Sequence, residues 1–325
     1  MKYIETNSTD PYFNLAMEEY ILRNKTEDDW IMLWQNDNTI VIGLNQNTEE
    51  EINREFVQEK KINVVRRGTG GGAVYHDLGN LNYSFITNIE SKENLSIARF
   101  TEPVCRALKS LGVNAVTSGR NDLTIDGRKF SGVAQRLQGN RVLHHGTLLF
   151  DSDMTVLSNA LHPDEEKFKS KSTKSVKSRV VNLKEYLPEM TLTDFWEALK
   201  RELLAEGTKT GVLTEEEYRE INLLADEKYR TWEWNYGRSP TYSVRKKKHF
   251  TGGTADIKMM VEKGRITDIA FNGDFMAVTE CTPAAEALKG VQLTEEAVRE
   301  ALEALNVEEM FGKITVEELT GLICG

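Results

Sequence analysis

Hydrophobic and polar positions alternate along the chain with two different periods, and the switches between them mark its elements. Apolar residues at Leu15, Met17, Tyr20, Ile21 and Leu22 crowd the stretch NLAMEEYILRN, and Asp10 followed by Pro11 stands where a helix cap and first turn belong. WIMLWQN and TIVIGLNQN follow, two apolar β-branched runs divided by a short Asn/Asp stretch, which predicts a hairpin. INREFVQEKK predicts a short helix, and INVVRR a strand that stops where RRGTGGGAVYHD begins. AVYHD and LNYSFITN are strand-like, and ARFTEPVCRALKSLGV is amphipathic, with Val104, Leu108 and Leu111 near one helical face.

NDLTIDGRKFSGVAQRLQGNRVLHHGTLLFD predicts three strands, with turns at Asp126-Gly127 and Gly139-Asn140. Residues 191 to 228 are mainly helical, with breaks near Gly207 and Gly211 and with Thr214 and three glutamates as cap and charged first turn. WEWNYGRSPTYSVRKKK marks a boundary. Beyond it, DIKMMVEKGRITDIAFNGDF predicts a hairpin turning at Lys263-Gly264, and 292 to 305 a Glu-rich helix. This is an α/β chain of the α+β kind, with mostly antiparallel sheet, and not the regular βαβ alternation of a doubly wound fold. The expected division is a catalytic domain over 1–243 and a small α+β accessory domain over 250–325, whose about 75 residues would lean on the first.

Composition narrows the class. Hydrophobic residues at 39% and charged residues at 28% describe an ordinary globular protein. No signal-peptide core and no run approaching the roughly 20 apolar residues of a membrane span is present, so a cytoplasmic location without membrane attachment is expected. Cys105, Cys281 and Cys324 are scattered and odd in number, which supports neither a disulfide framework nor a thiolate zinc site. A net charge of -10 argues against a general nucleic-acid surface. Positive charge clusters in KFKSKSTKSVKSR, 167 to 179, and in VRKKKHF, 244 to 250. Both fit a solvated surface; the first, being Ser-rich, also fits a loop that closes over an anion.

The candidate chemistry sits in three clusters. Gly70, Gly71 and Gly72 at the end of a strand can offer backbone amides to an anion, with Arg66 or Arg67 supplying a guanidinium fork, or they can form a strained turn. The run fits neither a Walker loop nor a dinucleotide fingerprint, because it feeds a strand. His76, between Tyr75 and Asp77, is either a hydrogen-bonded structural residue or a base. In GRNDLTIDGRKFSG, Asn121 and Asp122 can orient a hydroxyl or coordinate magnesium. Lys129, beside the small residues Ser131, Gly132 and Ala134, either faces solvent or neutralises charge on a phosphoryl group and an acyl oxygen. His144 and His145 point to opposite faces of a strand, which disfavours zinc. No covalent nucleophile is apparent, which favours transfer through an activated small-molecule intermediate.

In combination, FNLAMEEYIL, LWQNDNTIVIGLNQN, RRGTGGGAVYHDLGNLNYSF, GRNDL, RKFSGVAQR, HHGTLLFD and SVKSRVVNL closely resemble the lipoate-protein ligase A family over almost the whole chain. The resemblance implies a biotin/lipoyl ligase-like catalytic domain of mixed and antiparallel sheet flanked by helices, plus a small C-terminal domain that reorients between two half-reactions. It implies that free lipoate reacts with ATP and magnesium to give lipoyl-adenylate and pyrophosphate. The lipoyl group then passes to a lysine of an apo carrier domain, either the glycine-cleavage H protein or a 2-oxoacid dehydrogenase acyltransferase subunit.

Position by position, the resemblance makes Arg67 and Gly72 contacts of the intermediate, Trp34 and His76 pocket residues, Asn121 and Asp122 adenylate and magnesium contacts, and Lys129 the central lysine between acyl carbonyl and α-phosphate. Thr69, Gly70, Gly71, Ser131, Gly132, Arg136, His145 and Gly146 complete the implied substrate-binding set. Lys171, Ser175, Val176, Lys177, Ser178, Arg179, Val180 and Val181 belong to the implied adenylate-binding loop. The chain departs from the family at Gly68-Thr69, where two serines are frequent. A monomer is expected, since no extra apolar helix is apparent. An octanoyl or lipoyl transferase using a cysteine, and a silent carrier-binding protein, are the alternatives.

Overall fold

The computed structural model describes residues 1–91, 95–119, 121–161, 180–204, 207–236, 244–262 and 264–325, apart from the side chains of residues 49, 50 and 54. Its strands in chain order are β1 (Lys2–Glu5), β2 (Trp30–Trp34), β3 (Thr39–Ile42), β4 (Asn63–Arg66), β5 (Val74–His76), β6 (Asn80–Asn88), β7 (Val116–Ser118), β8 (Asp122–Ile125), β9 (Arg128–Gln138), β10 (Arg141–Leu149), β11 (Lys209–Thr210), β12 (Val244–Phe250), β13 (Gly253–Glu262) and β14 (Arg265–Gly273). Helix α1 (Pro11–Asn24) starts as the sequence predicts, with the Asp10 carboxylate accepting the Tyr12 amide at 3.0 Å and Pro11 in the first turn. Helices α2 (Ile97–Ser110), α3 (Leu192–Leu203) and α4 (Glu215–Leu224) also fall where periodicity places them, and Thr214 closes a capping box with Glu217 at the head of α4.

The main sheet runs in the order β11–β1–β2–β6–β10–β9–β8–β7, parallel at β1 and antiparallel elsewhere. Asp126 and Gly127 take φ of 50° and 75°, as a two-residue hairpin turn requires, and Ile125 pairs with Arg128 across it. One face of this sheet presents Leu81, Tyr83 and Phe85 to Phe100, Val104 and Leu108 of α2 and to Phe195 and Leu199 of α3. The other packs Trp30, Met32, Ile86 and Leu143 against Leu15, Met17 and Ile21 of α1.

The hairpin expected from WIMLWQN and TIVIGLNQN is not formed. β2 lies between β1 and β6 in the main sheet, whereas β3 lies between β4 and β5 in a small second sheet. Both strands are buried at every residue, which is the pattern of interior strands with a neighbour on each side. The connection is held open by Asn36, wholly buried and bonded to Asn14 of α1 at 3.0 Å, before the chain turns at Asn38 with φ 41°.

The third sheet, β12–β13–β14, has its own core, in which Ile257, Met259 and Ile269 meet Phe311, Leu319 and Ile323. The basic run at 244–250 forms β12, with Arg245 paired to Asp256 at 2.5 Å. β13 and β14 pair through Glu262 and Arg265 around the predicted turn, of which Lys263 lies outside the described residues. Among the described residues, no helix is long and apolar enough to cross a membrane.

Candidate active site

A cleft of about 590 Å³ opens between the main sheet and the small second sheet. Its floor follows one rung of the main sheet. Trp34 on β2 pairs with Asn82 on β6, Asn82 with Thr147 on β10, the Gly132 amide of β9 donates to Thr147 Oγ1 at 3.2 Å, and Gly132 pairs with Asp122 on β8. Three strand spacings separate Trp34 from Gly132, or roughly 14 Å. The opposite wall comes from Val41 of β3, Arg67, Gly71, Gly72 and Ala73, and Val74 and His76 of β5; Leu15 of α1 completes it. One end is aromatic, with the Trp34 and His76 rings edge to face at 6.3 Å. The other is ionic, with Lys129 Nζ 2.7 Å from the Asp122 carboxylate.

The two arginines of RRGTGGG have separate roles. Arg66 gives its guanidinium to the carbonyls of Gly43, Leu44 and Gln46 at 2.8, 3.1 and 2.6 Å and to Trp234 O at 3.0 Å, so it holds the scaffold together. Arg67 faces the cleft. Its Nη2 donates to Gly70 O and Gly72 O at 2.6 and 2.9 Å, its Nη1 to Val41 O at 3.1 Å, and its Nε to Thr69 Oγ1 at 2.9 Å. Burial lowers the Arg67 pKa to about 10, opposed by the nearby Glu18 carboxylate, and the group remains a cation at neutral pH. The glycine run therefore turns carbonyls towards Arg67, and the Gly71 amide is taken by Phe275 O at 3.2 Å. A Cβ on Gly70 would lie 2.8 Å from the Ala277 nitrogen, so this glycine is needed where the segment after β14 packs on the wall.

The threonine of the Gly68-Thr69 departure has a physical explanation. Thr69 Oγ1 accepts from Arg67 and lies 2.8 Å from His145 Nε2; His145 Nδ1 faces the buried Glu18 carboxylate at 3.0 Å. Because the carboxylate only accepts, His145 donates to it through Nδ1, and its Nε2 and the Thr69 hydroxyl share the second bond. Glu18 also accepts from Ser84 Oγ, which accepts Trp34 Nε1 at 2.8 Å, so one polar relay runs beneath the cleft from Trp34 to Arg67. At Gly68 a Cβ would meet Arg136 Nη1 at 2.5 Å, the far end of a side chain that can move aside, so nothing in the structure requires glycine there. Arg136 itself lies outside the cleft lining, donating to Gly68 O at 3.3 Å and facing Glu280 at 3.8 Å.

At the ionic end, a Cβ on Gly132 would stand 3.0 Å from Lys129 Nζ, so the glycine leaves the space that the ammonium occupies. Asn121 lines the cleft and donates to Val133 O at 3.1 Å. Val180 bridges to Lys129, and the Val181 amide donates to Lys129 O at 2.8 Å, which anchors the downstream end of the Ser/Lys segment beside the lysine. Lys171, Ser175, Val176, Lys177, Ser178 and Arg179 lie outside the described residues. Ser131, fully buried opposite Leu123, does not line the cleft. His144 points away from it, stacked on Phe100 at 4.9 Å, and burial lowers its pKa to about 3.

Gly146 touches the cleft through its backbone, and its lack of a side chain serves the opposite face. A Cβ there would sit 2.6 Å from the Tyr83 ring. Gly146→Ala is expected to destabilise the chain by about 1–3 kcal/mol through overpacking, read as a lower urea midpoint by tryptophan fluorescence. An unchanged midpoint would show that the ring has a second place to go.

Glu18, Asn82, Ser84 and Thr147 were not anticipated from sequence. The signal was present in β6, where apolar Leu81, Tyr83 and Phe85 alternate with Asn80, Asn82 and Ser84; the polar set is as buried as the apolar one. A strand polar on one face normally shows that face to water. Glu18 and its neighbour Glu19 are likewise buried carboxylates in a mainly apolar stretch of α1.

Residues 10–204 match the family described as lipoyl protein ligase A/B catalytic domain, and residues 239–323 match the bacterial lipoate protein ligase C-terminus. The lipoate-protein ligase LplJ of Bacillus subtilis is 42% identical over 323 residues, covering 98% of each chain. Lipoate–protein ligase 1 of Staphylococcus aureus is 41% identical over 327 residues, covering 99% of this chain and 100% of its own. Among solved structures, LipL1 of P. falciparum in complex with lipoate aligns with a TM-score of 0.83 at 27% identity, covering 99% of both chains. A catalytic-domain match that takes in the whole cleft floor, and relatives that align from end to end, make this chain a member of the lipoate-protein ligase A family.

Proposed function

We propose that the protein activates free lipoate with ATP and transfers the lipoyl group to a lysine on an apo carrier domain. The observation that carries this reading is the polarity of the cleft: an ionic pair, Lys129 and Asp122, and an aromatic end, Trp34 and His76, joined by a floor that carries Asn82 and Thr147 and faced by an apolar, glycine-rich wall. An amphiphilic acid lies along such a floor with its carboxylate at Lys129. In the first step a carboxylate oxygen attacks the α-phosphorus of ATP and the bond to the β-phosphate oxygen breaks, releasing pyrophosphate. In the second, the carrier's amine attacks the acyl carbon, the bond to the phosphate oxygen breaks, AMP leaves and the nitrogen gives up a proton.

Lys129 meets negative charge in both steps, on the phosphoryl oxygens and then on the acyl oxygen. Asp122, a hard oxygen donor about one-third exposed beside that lysine, would be the residue to hold a magnesium ion. Magnesium would supply charge neutralisation on the triphosphate. The carriers that suit this chemistry are the glycine-cleavage H protein and 2-oxoacid dehydrogenase acyltransferase domains. None of the three cysteines lines the cleft, which disfavours transfer through a thioester.

The decisive assay combines ATP, lipoate and an apo carrier. Carrier modification with pyrophosphate release supports the ligase; modification only from an acylated donor carrier would replace it with the transferase. Chain length gives a second check. At roughly 0.8 kcal/mol per buried methylene, octanoate is expected to be adenylated and acetate to be nearly inert. Equal adenylation rates for the two acids would show that the apolar wall does not bind the chain.

A further inference from the structure

Among the described residues, two buried polar atoms at the aromatic end of the cleft have no partner, Nε2 of His76 and one atom of the Asn82 amide. The state of His76 is set from outside the cleft. Asn14 Nδ2 lies 3.0 Å from Ser8 O, 2.7 Å from Gln35 O and 3.0 Å from Asn36 Oδ1. Two main-chain acceptors identify this atom as nitrogen, so the Asn36 atom facing it is oxygen. The Asn36 nitrogen is then the atom 3.1 Å from His76 Nδ1. An amide NH2 only donates, so His76 Nδ1 accepts and the ring proton sits on Nε2. Burial first, and the Arg67 charge after it, lowers the His76 pKa to about 3, so the ring stays neutral. The Asn82 amide lies beside it, 2.9 Å from the Asn80 amide.

We propose that the His76 Nε2–H, with the Asn82 amide beside it, is a selectivity device that donates to an acceptor atom at the far end of the acyl chain. This rests on the ligase reading above and names what distinguishes its substrates. A dithiolane sulfur is a weak acceptor and a keto oxygen a good one, whereas a terminal methyl is none. An alkyl acid of equal length leaves the buried His76 donor unpaired, which is the costly side of a buried hydrogen bond. His76 is therefore a positioning residue for the chain's distal end, and its tautomer excludes it as a base towards the cleft.

The test compares lipoate, octanoate and 7-oxo-octanoate as substrates for pyrophosphate release by the full chain. The unmodified protein is expected to use the keto acid and lipoate better than octanoate, by about tenfold in kcat/KM. His76→Leu is expected to lower the lipoate-to-octanoate and keto-to-octanoate ratios by that factor. A His76→Leu chain whose ratios are unchanged overturns the proposal. Should that variant fail to fold, ¹⁵N-histidine spectra of the unmodified protein decide instead. They should show the Nε2-protonated neutral ring, with its N–H proton shifted by lipoate and by the keto acid and not by octanoate. A ring protonated on Nδ1, or equal shifts with all three acids, also overturns it. Absence of pyrophosphate release with every acid would remove the ligase reading itself, which is a different result from release with flat ratios.

Discussion

Replacing Lys129 by alanine is expected to slow adenylation by about 10² or more while leaving ATP affinity close to its original value. The ammonium stands over Gly132, 2.7 Å from Asp122, at the end of the cleft where the proposed reaction would join the carboxylate to the α-phosphate. Charge grows there as the new oxygen–phosphorus bond forms, and a fixed cation in a partly dry site stabilises that growth more than it stabilises bound substrate. Losing one such donor costs about 10²–10³ in kcat elsewhere, which sets the scale. The kinetic signature is a fall in kcat with little change in KM for ATP. Isotope exchange between pyrophosphate and ATP, dependent on lipoate, isolates this half-reaction. Normal exchange by Lys129→Ala would assign the lysine to packing against Asp122. Lys129→Arg is not expected to restore the rate, because a planar guanidinium does not fit the space that Gly132 leaves for a compact ammonium.

Lys129 was legible in the sequence because a lysine at a strand entry, beside Gly132 and Ala134, has few reasons to be surrounded by small residues. Arg67 was legible as a guanidinium next to glycines, but its partners were not. Sequence could not separate it from Arg66, since the difference lies in which face of β4's end each residue leaves from. Thr69 was visible only as a departure; its hydroxyl gains meaning from His145, 76 residues away. The pairing of β2 and β3 was misjudged for the same reason. Two apolar runs with a short polar connection satisfy local hairpin rules, and only β6 and β4, which come later in the chain, divert them into different sheets. Local signals of helix start and tight turn held up, as at Asp10, Thr214 and Asp126-Gly127, because their partners lie within a few residues.

The same contrast makes Arg66, invisible as a structural residue in the sequence, the position where a single substitution should damage the fold most. Its side chain ties the segment after β3 to the short helix Trp232–Asn235. In addition to the carbonyls of Gly43, Leu44, Gln46, Trp234 and Asn235 it holds Thr48 Oγ1 at 2.7 Å, and Trp234 Nε1 returns a bond to Arg66 O at 2.8 Å. Removing the guanidinium in Arg66→Ala leaves several buried carbonyls without donors, each costing about 1–3 kcal/mol before water or a backbone shift relieves part of it. A net loss of roughly 3–5 kcal/mol is expected, a large share of a domain's typical stability of about 5–15 kcal/mol. Arg66→Lys should recover little, because one ammonium with three donors cannot reach acceptors spread around a planar fork. All five tryptophans precede residue 235, so their fluorescence in urea follows this part of the chain without a direct signal from the C-terminal core. A midpoint shift equivalent to less than about 1 kcal/mol for Arg66→Ala would mean that water replaces the guanidinium at little cost, and that the glycine wall is held by Arg67 alone.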